Sequence, residues 1–243
     1  MDWKAECAAV IPCLNEVSTI GPLVLSVREY LPKVYVVDDA SSDGSGHAAA
    51  IAGATVSQHA CVRGKGAALT TGWTKARQDG FRWALSLDGD GQHSAADIPL
   101  FLERVEKGSA ALVVGNRMGS SSEMPLVRRH VNRWMSRQLS KLTGQTLPDS
   151  QCGFRLMNLH SWSQLTIETT HFEIESEILL AFIAARERVD FVPIRVIYGG
   201  EVSKIHPVRD TLRWFRWRRQ AKRMSLLPEA PGRPQENQGC LRA

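Results

Sequence analysis

Two aspartates, Asp88 and Asp90, stand two residues apart in Leu87-Asp88-Gly89-Asp90-Gly91-Gln92-His93, directly after the apolar run from Trp83. Carboxylates so spaced at the end of a buried strand can offer oxygens to a hard cation, Mg²⁺ or Mn²⁺. Such an ion needs only one or two protein carboxylates when phosphates supply its other ligands. The chemistry it brings is Lewis-acid stabilisation of a departing diphosphate. Gly89 and Gly91 leave room for a ligand to approach the backbone. An Asp-Gly-Asp stretch is also a common turn former, so the pair takes its meaning from what surrounds it.

Other reactive groups recur along the chain. Asp38 and Asp39 follow Val34-Tyr35-Val36-Val37. Neighbouring side chains on an extended segment point to opposite faces, so one carboxylate is expected to meet a ligand such as a ribose hydroxyl while the other braces the loop. Asp43-Gly44-Ser45 is expected to cap the next helix. Arg63-Gly64-Lys65-Gly66 opens a helix, where free N–H groups favour an anion; it is too short for the phosphate loop of nucleotide hydrolases, and contact with a phosphate and a merely flexible loop both remain open. Arg117, in Gly115-Asn116-Arg117, can aim a guanidinium at phosphate oxygens. Beyond it come Arg128, Arg129, Arg133 and Arg137, the last three on one helix face, either an anion-binding face or a solvated one. Asp149 is the best-placed carboxylate for a general base, ahead of Glu173, Glu175, His93 and His171, which could be bases or structural groups.

These residues need elements to hold them. Ala8 to Ile11, Val34 to Val37, Ala54 to Ser57, Trp83 to Leu87 and Ala110 to Val114 read as buried strands, each bounded by Gly, Pro, Asn, Asp or Ser. Helical periodicity fills the gaps over Val17 to Tyr30, Ser45 to Ala52, Lys65 to Gln78 and Ala95 to Lys107. Strands alternating with helices predict an α/β domain with a mainly parallel sheet, whose ligands bind outside the carboxyl ends of the strands. All four polar clusters, including Pro12-Cys13-Leu14-Asn15-Glu16 after the first strand, fall at such ends. The second half reads as a long helix over Pro125 to Thr143, a loop over Asp149 to Arg155, a helix over Glu173 to Arg186 and a strand over Val189 to Ile197, and it is expected to cap the sheet.

At 243 residues and 43% hydrophobic content, one core is expected, with a catalytic domain over 1–205, a basic aromatic helix over 206–226 and a disordered tail over 227–243. No apolar run approaches the roughly 20 residues of a membrane-spanning helix, and the mixed-charge start lacks the pattern of a secretory signal, so a cytoplasmic location is expected. The five scattered cysteines read as reduced structural thiols. The net charge of +5 is concentrated in Ser203 to Arg223, where Lys204, Arg209, Arg213, Arg216, Arg218, Arg219, Lys222 and Arg223 interleave with Trp214, Phe215 and Trp217. That composition suits a helix lying in the headgroup layer of an anionic membrane. Nucleic acid is the rival partner, but nothing else in the chain resembles a nucleic-acid module.

Taken together, Ile11-Pro12-Cys13-Leu14-Asn15-Glu16, Val36-Val37-Asp38-Asp39-Ala40-Ser41-Ser42-Asp43-Gly44, Gly64-Lys65-Gly66-Ala67-Ala68, Leu87 to His93, Val114-Gly115-Asn116-Arg117 and Cys152-Gly153-Phe154-Arg155 resemble the family-two glycosyltransferases of the GT-A (Rossmann-like) fold. The resemblance is greatest to the branch of dolichol-phosphate mannosyltransferases and bacterial polyprenyl-phosphate glycosyltransferases, and it runs in order from about residue 6 to 205. It implies that Pro12, Glu16, Asp38 and Asp39 hold the nucleoside and that Asp88, Asp90 and Gln92 organise metal and diphosphate. Cys13, Lys65, Gly89 and Arg117 complete the implied donor site. Arg117 and the helix of Arg128, Arg129 and Arg133 would face the acceptor phosphate, with Asp149 also on the acceptor side and Asp90, Arg117 and Asp149 as catalytic residues. Ser203-Lys204 is similar to the family's Ser-Lys element, but Tyr198-Gly199-Gly200 stands where an arginine is often found, leaving Lys204 or Arg209 to close over the donor.

The expected function is inverting transfer of a hexose from a nucleotide-sugar to an acceptor, foremost a polyprenyl phosphate. A phosphate monoester is already ionised near neutral pH and needs no base. The alternatives are a hydroxyl acceptor with Asp149 as base, a non-catalytic nucleotide-binding module at a membrane surface, and a nucleotidyltransferase.

Overall fold

Runs such as Cys7-Ala8-Ala9-Val10-Ile11, with no charged residue, cannot sit at a solvated sheet face and form strands covered on both sides. In a computed structural model that describes residues 1–119, 124, 126–197 and 213–217, β1 (Cys7–Cys13) and β2 (Val34–Asp38) are buried at every position. They are joined by β3 (Thr55–Gln58), β4 (Trp83–Ser86), β5 (Leu112–Asn116), β6 (Arg155–Asn158) and β7 (Val189–Pro193) in one seven-stranded sheet of order β3-β2-β1-β4-β6-β5-β7. β1 runs parallel to β2 and β4, β2 parallel to β3, and β5 parallel to β7.

A short α1 (Trp3–Glu6) precedes the sheet. The crossovers are α2 (Val17–Arg28), α3 (Ser45–Ile51), α4 (Lys65–Gln78) and α5 (Ile98–Glu106). α4 packs on β1, β2 and β4, and α5 on β5, β6 and β7. The second half supplies α6 (Leu126–Thr143), α7 (Leu159–Ser163) and α8 (Ile174–Ala184). α8 is buried along nearly its whole length, as its Ile-Leu-Leu-Ala-Phe-Ile run requires.

Three expectations from the sequence need correction. The second half does not merely cap the sheet, since β6 lies inside it, antiparallel to both β4 and β5. Four residues, Arg155-Leu156-Met157-Asn158, carry too little periodicity to announce a strand; neighbours on both sides make it one. The strand predicted to Ile197 stops at Pro193, and Val196 instead makes an isolated antiparallel bridge with His93. Arg195 then ties this segment down by donating its backbone N–H and guanidinium to Asp97.

The third correction concerns the basic aromatic segment. Residues 213–217 are helical, and Trp214 and Trp217 are buried in the core rather than free to enter a headgroup layer. Trp214 packs edge-on against Trp134 of α6 and donates its indole N–H to Ser176 of α8 at 3.0 Å. Lys204, Arg209, Arg218, Arg219, Lys222 and Arg223 lie outside the described residues, as do Tyr198-Gly199-Gly200 and the expected tail over 227–243.

α4 approaches the sheet closely because Gly72 has no side chain: a Cβ there would collide with Val10 and crowd Val37. Val10 belongs to a fully buried central strand and cannot withdraw. Gly72→Ala is therefore expected to lower unfolding free energy by about 1–3 kcal/mol, the cost of overpacking outweighing the helix-propensity gain of about 1 kcal/mol. Urea denaturation measures the difference.

Candidate active site

The parallel strands end along one edge, and the register pairs Cys13 with Asp38 at that edge. The loops leaving β1 and β2 interlock. Ser41 Oγ accepts from the backbone N–H of Asn15, Ser45 Oγ from that of Glu16, and Asp43 from those of Val17 and Ser45. Asp43 thus serves the starts of both α2 and α3, where the sequence pointed to α3 alone. Asn15 and Ala40 adopt left-handed backbone conformations with φ of 52° and 64°. For Ala40 this costs on the order of 1 kcal/mol and persists because the interlock holds it.

Asp38 and Asp39 are both buried, and both brace loops. Asp38 Oδ1 accepts from Ser41 N–H at 2.8 Å. Asp39 accepts from Arg63 and Gly64 N–H at 2.9 and 2.7 Å and pairs with His59 Nδ1 at 2.6 Å. Burial alone would raise the Asp39 carboxyl, but His59 and the two N–H groups outweigh it and hold the pKa below the usual value. Beside these groups opens a cleft of about 370 Å³ lined by Ala40, Ser41, Gln58, His59 and Ala60. His59 was missed in the sequence because a lone histidine carries no signal until Asp39 is placed against it. Cys13 is buried, and desolvation pushes its thiol up to about 11, so it packs rather than reacts. Pro12 lies beneath Gly89, where a Cβ would come 3.0 Å from the Pro12 carbonyl and 3.5 Å from Glu16 Cγ.

Asp88 sits at the centre of the edge. Lys65 Nζ lies 2.6 Å from its Oδ1 and 2.5 Å from Glu175 Oε1, and His93 Nε2 lies 3.6 Å from its Oδ2. Burial opposes ionisation of Asp88, but Lys65 and His93 prevail and the carboxyl stays well below the usual range. Gly153 makes the space, since a Cβ there would meet Asp88 Oδ1 at 2.6 Å. Gly64 and Gly66 pack on the backbone of Thr169 and Thr170, so this turn is tightly packed rather than a flexible loop. Asp90 accepts from Gln92 N–H at 3.0 Å and lines a separate cleft of about 540 Å³ with Thr19, Tyr30, Ser94 and Ile197.

No group of three or more His, Cys, Asp or Glu among the described residues could by itself hold a metal ion. Asp88 and Asp90 nevertheless fit a cation that takes most of its ligands from phosphates. Both are hard oxygen donors, and a quarter of the Asp88 side chain is accessible.

Arg117 and Asp149 meet as a buried bidentate pair, Nε to Oδ2 at 2.8 Å and Nη2 to Oδ1 at 2.9 Å, with Arg117 N–H also on Oδ2. This arrangement argues against the expectations that Arg117 reaches out to phosphate and that Asp149 waits as a base. Asp149 has no exposed surface, and although burial opposes its charge, Arg117 outweighs burial and keeps its carboxyl below the usual value. Arg155 is likewise committed, donating to the carbonyls of Ser150, Cys152 and Glu175. Of the α6 arginines, Arg128 reaches Gln92 Oε1 at 3.4 Å, Arg129 keeps a buried Nε without a partner, Arg133 is half-buried and Arg137 is exposed.

A mostly parallel sheet flanked by helices, with two aspartates and two clefts along its carboxyl edge, has the architecture of the GT-A fold. The family model described as glycosyl transferase family 2 matches residues 8–164, and the chain belongs to that family. It is 31% identical over 146 residues to a UDP-N-acetylglucosamine–dolichyl-phosphate N-acetylglucosaminyltransferase of Methanococcus voltae, covering 58% of each chain. It is 32% identical over 158 residues to an undecaprenyl-phosphate mannosyltransferase of Micrococcus luteus, covering 62% of this chain and 61% of that one. An uncharacterized protein of Methanocaldococcus jannaschii is 29% identical over 201 residues, covering 80% of this chain and 83% of the relative. In fold, the chain is similar to glucosyl-3-phosphoglycerate synthase from Mycobacterium tuberculosis crystallised with Mn²⁺, UDP-glucose and phosphoglyceric acid. The TM-score is 0.67 at 18% identity, covering 93% of this chain and 81% of that one.

Removing one partner of a buried ion pair strands the other charge. Asp149→Asn is expected to lower stability by about 3–5 kcal/mol at neutral pH. Because the folded carboxyl titrates below its ordinary 3.8, the unfolded chain binds the proton more readily. The stabilisation is complete above about pH 4 and falls away as the pH drops below that value. Denaturation of wild type and variant across pH 3–7 is expected to show a shallower acid limb in the variant.

Proposed function

We propose that the chain transfers a hexose from a nucleoside-diphosphate sugar to a polyprenyl phosphate, with inversion at the anomeric carbon. The observation that carries the reading is the Asp88/Asp90 pair, with the Lys65 ammonium on Asp88, at the strand edge that also bears the His59 and Asp39 cleft. The nucleoside would lie over Ala40, Ser41 and Gln58, with Asp39 and His59 shaping the cleft floor and the diphosphate directed toward Asp88. Mg²⁺ or Mn²⁺ held by Asp88 and Asp90, with Gln92 nearby, would neutralise charge on the departing diphosphate.

In the reaction, an acceptor phosphate oxygen forms the bond to C1 as the bond from C1 to the diphosphate oxygen breaks. The nucleoside diphosphate leaves with that electron pair. No proton has to be removed from an ionised phosphate, which fits a site whose candidate base, Asp149, is locked onto Arg117. The α6 arginines suit the acceptor: Arg129 holds an unsatisfied donor and Arg128 already touches Gln92 beside the metal-binding pair.

The same helix exposes Leu126, Val127, Val131 and Trp134 among its arginines, a composition suited to an anionic lipid surface. Peripheral attachment at the cytoplasmic face of a membrane would bring that helix to a lipid carrier. Among the described residues, no helix is long and apolar enough to cross a membrane. The relatives named for dolichyl- and undecaprenyl-phosphate acceptors support the acceptor class, and the solved neighbours with UDP support the donor class. Lys204 and Arg209 stay as candidates for closing over the donor.

The test supplies UDP- or GDP-sugars with Mn²⁺ and either a short polyprenyl phosphate or the matching polyprenol. Transfer is expected to the phosphate alone, and replacing both Asp88 and Asp90 by Asn should reduce it at least about a thousandfold. Equal transfer to the alcohol would establish the hydroxyl reading. Nucleotide binding without transfer to any acceptor would establish the non-catalytic one, and release of diphosphate from a nucleoside triphosphate would reveal a nucleotidyltransferase.

A further inference from the structure

The Lys65 ammonium is shared between two carboxylates of unequal prospects. Asp88 is exposed enough to meet a ligand, with a quarter of its side chain accessible, whereas Glu175 is almost wholly buried on α8. Glu175 Oε2 lacks a hydrogen bond, so Glu175 has a further oxygen to offer the ammonium. The anchor of Lys65 is fixed. It is the first residue of α4, its flanking glycines are pressed against Thr169 and Thr170, and Thr169 in turn donates its backbone N–H and hydroxyl to Glu177. The four-carbon stem carries the ammonium between the two carboxylates, and its torsions are the ones that can shift it from one to the other.

We propose that Lys65 is the resident counter-ion of Asp88 in the metal-free site and that Glu175 is the positioning residue to which it withdraws when a divalent cation reaches Asp88. This rests on the proposed reading of Asp88 as a metal ligand. An ammonium and a divalent cation cannot share one carboxylate in a site of low dielectric without strong mutual repulsion. Lys65 and the metal are therefore antagonists at Asp88. By linkage, whatever favours the ammonium on Asp88 weakens the ion, and the reverse. Glu175 moderates the competition by offering the displaced ammonium a second anion at 2.5 Å, together with the face of the Phe172 ring at 5.6 Å. Without Lys65, Asp88 and Glu175 would be two buried like charges in need of a counter-ion.

The experiment is a Mn²⁺ titration of the protein in the presence of UDP or GDP, with protein-bound ion followed by electron paramagnetic resonance and folding checked by circular dichroism. Lys65→Gln is expected to bind Mn²⁺ about tenfold more tightly than wild type. Glu175→Gln is expected to bind about tenfold more weakly, because the ammonium then leans on Asp88 alone. Opposite signs from two neutralising changes are the signature, and a loss of packing would not produce them. Both variants moving the same way, or neither moving, overturns the proposal. Should Lys65→Gln not fold, unchanged Mn²⁺ affinity in Glu175→Gln overturns it alone. Asp88→Asn separates the two ideas: wild-type Mn²⁺ binding there overturns the metal reading of Asp88 and this inference with it. Loss of binding in Asp88→Asn alongside unmoved Lys65→Gln and Glu175→Gln overturns this inference only.

Discussion

An ionised carboxylate at the end of a buried strand has to be kept charged and in place with little help from water. Asp88 meets that constraint through one neighbour from its own loop and two from distant parts of the chain. Lys65 supplies positive charge, the His93 ring lies 3.6 Å from the other oxygen, and Gly153 supplies the room these oxygens occupy. Each neighbour is in turn held by something else. Lys65 depends on glycine contacts with the 169–170 backbone, and Gly153 sits in a turn whose carbonyls are gathered by Arg155. Much of the second half of the molecule can be understood as the support that one side chain needs.

The antiparallel strand β6 makes this support possible. A strand running with its neighbours would bring its amino end to the far edge of the sheet. Because β6 runs against β4, with Ser86 opposite Arg155, the chain just before it lies beside the carboxyl end of β4. The Asp149 to Phe154 loop therefore arrives where Asp88 emerges, and Arg117 at the end of β5 finds Asp149 there. Charged side chains along this edge consequently divide into two groups. Arg117, Asp149 and Arg155 are buried and committed to one another or to backbone carbonyls, and they hold the loops. Asp88, Asp90, Lys65 and Arg129 retain surface or an unsatisfied atom, and any ligand has to be met by groups of this second kind.

Family resemblance and physical reading supported each other unevenly. The ordered motifs placed Asp38, Asp39, Asp88 and Asp90 at strand ends, and the structure puts them there, each close to the end of its strand. Charge pattern was a poorer guide. The arginine and tryptophan stretch near the carboxyl end invited a membrane-surface reading, yet Trp214 and Trp217 are core residues that dock the segment against α6 and α8. A tryptophan between arginines has the same composition whether it faces lipid or protein, and only packing partners distinguish the two.

The sequence by itself determined the alternating strands and helices, the edge at which polar clusters collect, and the family, because these depend on local periodicity and short-range spacing. It also marked Lys65, Asp149 and Arg117 as residues of interest. Only the tertiary structure decided what they touch: Lys65 turned toward Asp88 and Glu175 rather than open solvent, and Arg117 and Asp149 spent on each other. The physical reason is that a charge's role is set by its nearest counter-charge. In this chain the counter-charges lie 23, 32 and 110 residues away in sequence, at separations over which no periodicity carries information.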